Sequence, residues 1–306
     1  MIPDFPNFKS LALEDGETID AFTVNYPCYS DFNFTSLWVW DTNRKRKLSI
    51  LNGNLVIEFT DYETEEPFLT YLGTRDTRDT ALTLLDYSES LGYGSQLKLV
   101  PELSVFDIEY NTLKIEFDKA NFDYIYLTSR LATLPGFSYN RKKRSVQQFE
   151  RENPDHSFRI CDLRDVGVQR EIEAIANAWK PKKERELDTL RSIEHEQAAL
   201  RNLFDLVQTR DMITGIVFRG GTPRAFTIEE MVAPRDAMGH FWKTAEIVKG
   251  EYEYMAREMA RHLLSLGIDY WNWEQDLGIE TLRISKSSYR PSDFLRKFTV
   301  ENRMQW

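Results

Sequence analysis

Apolar positions follow two registers along the chain: every third or fourth residue in some stretches, short alternating or continuous runs in others. In "EDGETIDAFTVNY", Ile19 and Phe22 fall on one helical face, and "SDFNFTSLWVW" follows as a second helix with Ser30 or Asp31 as its expected cap. "RKLSILNGNLVIEFT" places two apolar runs on either side of Asn52-Gly53, a dipeptide suited to a two-residue hairpin, and "PFLTYLG" continues as a third strand. "TRDTALTLLDYSESLG" reads as a helix stopped by Gly92, after which "SQLKLV", "TLKIEF" and "FDYIYLT" return to strand character.

The second half repeats that order. "DVGVQREIEAIANAW" spaces Val168, Ile172, Ile175 and Trp179 as a helical stripe, and "ERELDTLRSIEHEQAALRNLFDLV" stays helical. "MITGIVF" and "PRAFTIEEMV" flank "RGG" as a second hairpin. "FWKTAEIVKGEYEYMAREMARHLLSLG" reads as a long helical stretch ended by Gly267. "IDYWNW" is a strand, "GIETLRISKSSY" a helix and "DFLRKFTV" a last strand. Two copies of one α/β unit are expected, residues 1–150 and 151–306, joined near 135–155 where "LPG" and "ENP" punctuate the chain. The element order is that of the GNAT acyltransferase fold, so the expected class is α/β with mixed sheets, arranged as tandem GNAT-like domains.

Composition narrows the setting. Seven Trp, 14 Tyr and 19 Phe supply ample core material, and a net charge of −10 weakens any broad affinity for nucleic acid while leaving room for a local basic patch. Cys28 and Cys161 form no CxxC pair, so neither a disulfide framework nor a metal site is expected. "MIPDFPNFKSLALEDGE" lacks the pattern of a signal peptide, and no apolar run reaches the roughly 18–20 residues of a membrane span. A cytoplasmic protein without integral membrane association is the expectation.

The densest candidate chemistry lies in "WNWEQDLGIETLRISKSSYRP", residues 271–291. If Tyr270–Trp273 form a strand, Glu274, Gln275 and Asp276 fall at its carboxyl end, where open α/β sheets bind ligands. Gly278 lets the chain turn and Asp276 can cap the next helix. On that helix Ile279, Leu282 and Tyr289 would face the core, with Arg283, Lys286 and Arg290 along one edge. Acids beside a cationic row suit a zwitterion, a phosphate or a developing oxyanion; a helix cap with internal salt bridges would show the same spacing.

"EQDLGIETLRISKSSYRP" closely resembles the C-terminal motif of a bacterial family related to the phosphatidylglycerol lysyltransferase C-terminal domain, worded approximately E-x-D-L-G-x-x-x-L-R-x-x-K-x-x-Y-x-P. The matching residues are Glu274, Asp276, Leu277, Gly278, Leu282, Arg283, Lys286, Tyr289 and Pro291. "FTSLWVW" (34–40), "YNRKKRSVQQF" (139–149) and "HFWKTAEIVKGEYEYM" (240–255) resemble further family segments, so the likeness spans nearly the whole chain. It implies tandem GNAT-like domains and kinship with enzymes that take aminoacyl groups from aminoacyl-tRNA, among them lysyl-phosphatidylglycerol synthases and Fem-type peptidoglycan aminoacyltransferases. It does not imply lysyl-lipid synthesis, since no membrane-spanning half is expected here.

Two donors stay open, an aminoacyl-tRNA and an acyl-CoA. GNAT enzymes cradle the coenzyme A pyrophosphate on a glycine-rich turn that opens a helix. Lys249 and Gly250 supply half of such a turn, but Tyr252 replaces the second small residue; close helix packing would equally call for Gly250. Arg141, Lys142, Lys143 and Arg144 open a helix that turns Val146 and Phe149 inward. Cations there oppose the helix dipole by about 0.3–1 kcal/mol each, which points to an anionic ligand such as tRNA. "NRKRK" (43–47) and "KPKKER" (180–185) are further basic clusters. For transfer to a small-molecule acceptor, Glu274 or Asp276 would take the acceptor's proton. Arg283 and Lys286 would hold a carboxylate or phosphate, and Tyr252 or Tyr289 would protonate the leaving group. His240 and Lys243, three apart before the long helix, would add a base and an anion contact.

His195 lies on a polar helical face and belongs to no His-Glu-x-x-His pattern, "GYGS" (92–95) and "RGG" (219–221) read as a helix stop and a hairpin turn, and no Gly-x-Ser-x-Gly elbow occurs. The expected function is transfer of an aminoacyl or acyl group to an amine or hydroxyl. An acyl-CoA-dependent N-acetyltransferase and a non-catalytic binder of an amino acid or nucleotide are the alternatives.

Overall fold

The computed structural model describes residues 1–61, 66–109, 113–178 and 187–303, with backbone alone for 187–193. Trp179 and the basic cluster 180–185 lie outside the described residues. Along the chain run β1 (Lys9–Ser10), α1 (Gly16–Thr23), α2 (Phe34–Val39), β2 (Lys47–Leu51), β3 (Asn54–Thr60), β4 (Pro67–Leu72), α3 (Thr77–Ser90), β5 (Gln96–Pro101), α4 (Glu102–Val105), β6 (Leu113–Phe117), β7 (Asp123–Leu127), α5 (Thr128–Thr133) and α6 (Asn140–Glu152). There follow β8 (Ser157–Cys161), α7 (Val166–Ala178), α8 (Leu187–Phe204), β9 (Met212–Arg219), β10 (Thr222–Ala233), β11 (Asp236–Thr244), α9 (Glu251–Ser265), β12 (Tyr270–Asn272), α10 (Glu280–Ser288), β13 (Asp293–Leu295) and β14 (Lys297–Asn302).

The chain forms two compact units, each drawn from separate stretches. The first comprises Met1–Asp123, Gln275–Arg283 and Phe294–Trp306; the second, Tyr124–Glu274 and Ile284–Asp293. They do not divide at the expected 150/151 junction, and strand exchange is the reason. β14, from the C-terminus, inserts between β5 and β6 and so belongs to the first unit. β7 pairs antiparallel with β12, and α6 lies against α9 through Phe149 and Tyr254, which assigns both to the second.

In the first unit β1-β2-β3-β4 form one sheet and β5-β14-β6 another. Val56, Leu69, Tyr71, Leu84, Leu85, Leu97, Val100 and Val300 build the core under α3. Asn52-Gly53 makes the expected hairpin, with Leu51 opposite Asn54. The cap of α2 is Asn33, whose side chain accepts the Ser36 N–H at 2.9 Å, rather than Ser30 or Asp31. Those two sit in a preceding 3-10 turn, where Asp123 accepts the Ser30 hydroxyl and Asp31 pairs with the fully buried Lys297.

The second unit contains six consecutive strands, β7-β12-β11-β10-β9-β8, of a seven-stranded sheet; β13 begins where the unit ends. Ile172 and Ile175 turn α7 onto the sheet as expected. Residues 241–250, expected to open the long helix, do not. Asp236–Thr244 is a strand in antiparallel register with β10, and α9 starts only at Glu251. A central strand buried on both faces shows a continuous apolar run, which periodicity does not distinguish from a buried helix.

Candidate active site

β11 and β12 run parallel for three residue pairs, Asp236 with Tyr270, Ala237 with Trp271 and Met238 with Asn272. β12 then ends, while β11 continues to Thr244 against β10. Three indoles cluster where the strands part. Trp242 lies 5.1 Å from Trp271 and 4.8 Å from Trp273, and Tyr126 and Tyr289 flank Trp273 at 4.3 and 4.8 Å between ring centroids. Glu274 follows directly, in the left-handed region at φ 56°, and its N–H donates to Asn272 Oδ1 at 2.7 Å.

Opposite Ile228 and Glu229, β11 carries one extra residue, His240, between Phe241 and Gly239, and both adjacent glutamates of β10, Glu229 and Glu230, are buried. The two meet different environments. Glu229 accepts hydrogen bonds from Trp271 Nε1 at 2.8 Å and from the Thr227 hydroxyl. A Cβ on Gly239 would lie 2.6 Å from the Glu229 carboxyl, so glycine alone leaves it room. Burial outweighs those hydrogen bonds and pushes the Glu229 carboxyl up to about 8. Glu230 lies in a chain of polar contacts: Arg210 is 3.9 Å away, and His240 donates from Nε2 to Glu230 at 3.0 Å and from Nδ1 to Glu274 at 3.2 Å. Burial opposes a charge on His240, but the two carboxylates outweigh it and raise the imidazole to about 10. His240 is therefore an imidazolium, which corrects the expected base. Of the chain, Glu274 reaches furthest toward solvent, with 17% of its side chain exposed.

The expected tyrosines lie in this unit. Burial raises both phenols, Tyr252 and, more strongly, Tyr289, so both keep their protons at neutral pH. Of the cations opening α6, Arg141, Lys143 and Arg144 face outward. Lys142 turns inward, its Nζ 3.6 Å from the Tyr289 ring centroid and 3.4 Å from Glu253, and burial lowers its ammonium below the ordinary value. Lys286 Nζ donates to the Trp273 carbonyl at 2.5 Å, while the Tyr126 hydroxyl donates to the Lys286 carbonyl at 2.7 Å. Lys286 thus pins the loop after β12.

Other expected residues separate from this group. His240 and Lys243, three apart on a strand, face opposite ways. Lys243 pairs with Glu196 of α8 at 2.7 Å, beside a small cavity of about 20 Å³ lined by Ala176, Leu200, Phe226 and Phe241. Lys249 is exposed. Gly250 caps α9 with φ 84°, and a Cβ there would lie 2.1 Å from the Ser145 carbonyl oxygen, so α6 fills the glycine's open side. The first turn of α9 carries Glu251, paired with Arg219 at 2.9 Å. In the first unit Asp276, 1% exposed, accepts two bonds from Arg283 at 2.8 and 3.0 Å and the Gly278 N–H at 2.8 Å. That is a turn cap closed by an ion pair. Helix α10 buries none of its residues, so the stripe of Ile279, Leu282 and Tyr289 does not form; only Tyr289, beyond its end, is buried. Arg283 and Lys286 likewise serve separate partners rather than one row with Arg290. In the cluster 43–47 three cations have internal partners, with Arg44 over Trp38, Arg46 donating to the Ser36 and Leu37 carbonyls and Lys47 paired with Glu58, while Lys45 is exposed.

Sequence reading missed Glu229, Glu230, Gly239, Trp242 and Glu253. The available signal was "IEE" inside an otherwise apolar strand, with the glycine of "MGHFW" leaving room for one of its acids. Among the described residues no group of three or more acidic, His or Cys side chains could hold a metal ion, and no helix is long and apolar enough to cross a membrane.

No curated protein matches this sequence. A conserved protein of unknown function from Bacteroides thetaiotaomicron VPI-5482 is similar at 26% identity and TM-score 0.79, over 99% of this chain and 100% of that one. The C-terminal domain assigned to a lysylphosphatidylglycerol synthetase from Agrobacterium fabrum is similar at 11% identity and TM-score 0.64, over 95% and 92%. A tandem GNAT protein from the clavulanic acid biosynthesis pathway is similar at 10% and 0.52, over 98% and 99%. The fold is therefore tandem GNAT-like. Residues 26–301 match the family model described as phosphatidylglycerol lysyltransferase, C-terminal, and the chain belongs to that family.

Proposed function

We propose that this chain transfers an aminoacyl group from an RNA-borne ester to an amine or hydroxyl acceptor, with the chemistry in the second unit. Family and fold support acyl transfer as the general reaction type. The observation that carries the finer reading is one partly exposed carboxylate, Glu274, at the end of β12, in the same unit as two phenols that burial keeps protonated. Environments that separate proton donors from an acceptor are what acid–base catalysis requires. Glu274 takes the acceptor's proton as its nitrogen or oxygen attacks the ester carbonyl. The acyl–oxygen bond then breaks, and Tyr289 gives its proton to the departing oxygen. The proton held by Glu274 returns to the phenol through solvent, so one proton moves from acceptor to leaving group. The His240 imidazolium holds the Glu274 carboxylate in place.

Gly250 supports an RNA-borne donor over acyl-CoA, because its open side is occupied by α6 rather than left for a pyrophosphate. The outward Arg141, Lys143 and Arg144 suit phosphate contacts.

The test is transfer of labelled aminoacyl groups from pooled aminoacyl-tRNA to mixed amine and hydroxyl acceptors, with filter retention of the RNA. Glu274→Gln should lower transfer by about 10²-fold or more while leaving the unfolding transition intact. Lys143→Ala with Arg144→Ala should reduce the salt slope of RNA binding by about 1 per cation. Transfer from acetyl-CoA without RNA retention would overturn this reading in favour of an N-acetyltransferase. RNA or ligand retention with no transfer from any donor would favour a binder.

A further inference from the structure

Three of the four cations opening α6 point to solvent; Lys142 does not. Only 12% of its side chain is exposed, and its ammonium sits 3.6 Å from the centroid of the Tyr289 ring. That is well inside the range of about 6 Å over which an ammonium feels a ring's field. Glu253, on the first turns of α9, fixes the ammonium from another side at 3.4 Å. Tyr289 is fixed independently, by Trp273 against its ring and by the Tyr139 hydroxyl donating to its backbone carbonyl at 2.9 Å. The geometry thus confines a cation between a carboxylate and a phenol that cannot move away.

A salt bridge alone would not place the nitrogen over the ring, and a ring contact alone would not need Glu253. Together they have an electrostatic consequence. Burial above all, and then Glu253, disfavours negative charge on Tyr289; an ammonium 3.6 Å from the ring centroid favours it by simple charge attraction. We propose that Lys142 is a positioning residue for proton donation by Tyr289: seated on the ring and tethered by Glu253, it stabilises the negative charge that builds on the phenol oxygen as the proton leaves. This rests on the reading of Tyr289 as the group that protonates the leaving oxygen. The step balances as before. The Oη–H bond breaks, the proton joins the leaving oxygen, and the transient phenolate is reprotonated from solvent.

Removing the cation should leave Glu253 unopposed beside the phenol. Lys142→Met should lower kcat about tenfold or more with KM changed less than about threefold. Lys142→Arg, whose guanidinium also stacks on rings, should retain most of kcat. Lys142→Met with Glu253→Gln should recover part of the loss, because the offending carboxylate is then gone. A second measurement needs no activity. With 2,3,5-trifluorotyrosine at position 289, whose far more acidic phenol offsets the rise that burial imposes, fluorine NMR should show its titration moved up by about one pH unit in Lys142→Met and back toward the starting value in the double variant. An unmoved fluorine titration in Lys142→Met overturns the proposal, as does Lys142→Arg failing as badly as Lys142→Met. If the wild-type chain transfers nothing, the functional reading fails, and the fluorine titration still decides whether Lys142 governs Tyr289.

Discussion

Replacing Gly250 by alanine separates two explanations of the residue that the sequence left together, a phosphate cradle and a packing contact. The structure supplies its own control in Gly267, which lies in the same unit at φ 83° against 84° for Gly250. A Cβ at Gly267 meets nothing within 4 Å; one at Gly250 meets the Ser145 carbonyl oxygen at 2.1 Å, its carbon at 2.8 Å and Phe149 Cβ at 3.1 Å. Both substitutions put a side chain into the left-handed region, at about 1–2 kcal/mol each. Only Gly250→Ala adds a clash with backbone, worth about 1–3 kcal/mol more as α6 and α9 are forced apart. Gly267→Ala should therefore cost about 1–2 kcal/mol and Gly250→Ala about 2–5 kcal/mol. Urea unfolding monitored in the transition of the second unit measures both. Equal losses would refute the packing argument. If Gly250→Ala were no worse than Gly267→Ala yet abolished stabilisation by acetyl-CoA, the cradle would be reinstated.

Two further predictions concern the buried acids. Glu229 has a folded-state value raised from 4.5 to about 8, so the folded chain holds a proton that the unfolded chain releases, and its contribution is full below about pH 4.5 and lost as pH rises toward 8. His240, raised from 6.5 to about 10, continues the decline over that higher window. Glu229→Gln should accordingly flatten the lower part of the stability–pH curve, being close to neutral at pH 5 and relatively stabilising at pH 8.5; urea titrations showing the wild-type slope unchanged in the variant would refute a neutral Glu229. In the first unit, Arg283→Met should cost about 1–2 kcal/mol, a value held down by the half-exposed guanidinium, because buried Asp276 loses both bonds from Arg283 while the Gly278 N–H stays. Asp276→Asn with Arg283→Met should cost less than Arg283→Met alone; a larger loss in the double variant would show that the pair is not the source.

The tandem order was legible because each unit repeats a helix pair, a hairpin and a long helix whose apolar spacing survives in sequence. The boundary was not legible. β14 pairs with β5 and β6 across roughly two hundred residues of chain, and a strand carries no mark of which distant partner it will join. A different limit hid β11, since "MGHFWKT" mixes apolar and polar residues on both faces and gives no period. Of the candidate residues, Glu274 could be placed from its position after a strand, whereas Tyr289, read into a helical stripe, is buried just beyond the end of α10. The structure divides the motif around them, leaving Asp276 and Arg283 to bond each other in one unit while Glu274 bonds His240 in the other. The basic run 141–144 was visible as charge, but the inward turn of Lys142 depends on α6 lying against α9, which no local pattern states.

The polar centre of the second unit is a problem in charge balance, and the burial of Glu229 and Glu230 side by side in β10 is where it is solved. Arg210 and His240 face the carboxyl groups of Glu230 and Glu274 along one chain of contacts, basic groups alternating with acidic ones. Ionising Glu229 as well would leave an unmatched charge in the interior, at a cost that the Trp271 and Thr227 hydrogen bonds do not offset, and burial keeps it protonated. Its neutrality in turn lets Trp271 donate to it without drawing His240 away from Glu230. His240 is then locked by two acceptors and cannot rotate to serve as a base. Of the four ionisable side chains in this chain of contacts, Glu274 is the most exposed, at 17% against 13% for Arg210, and under the proposed reaction proton exchange with an incoming acceptor falls to it. A change that freed His240, Glu230→Gln above all, would loosen the group that orients Glu274 before it altered Glu274 itself.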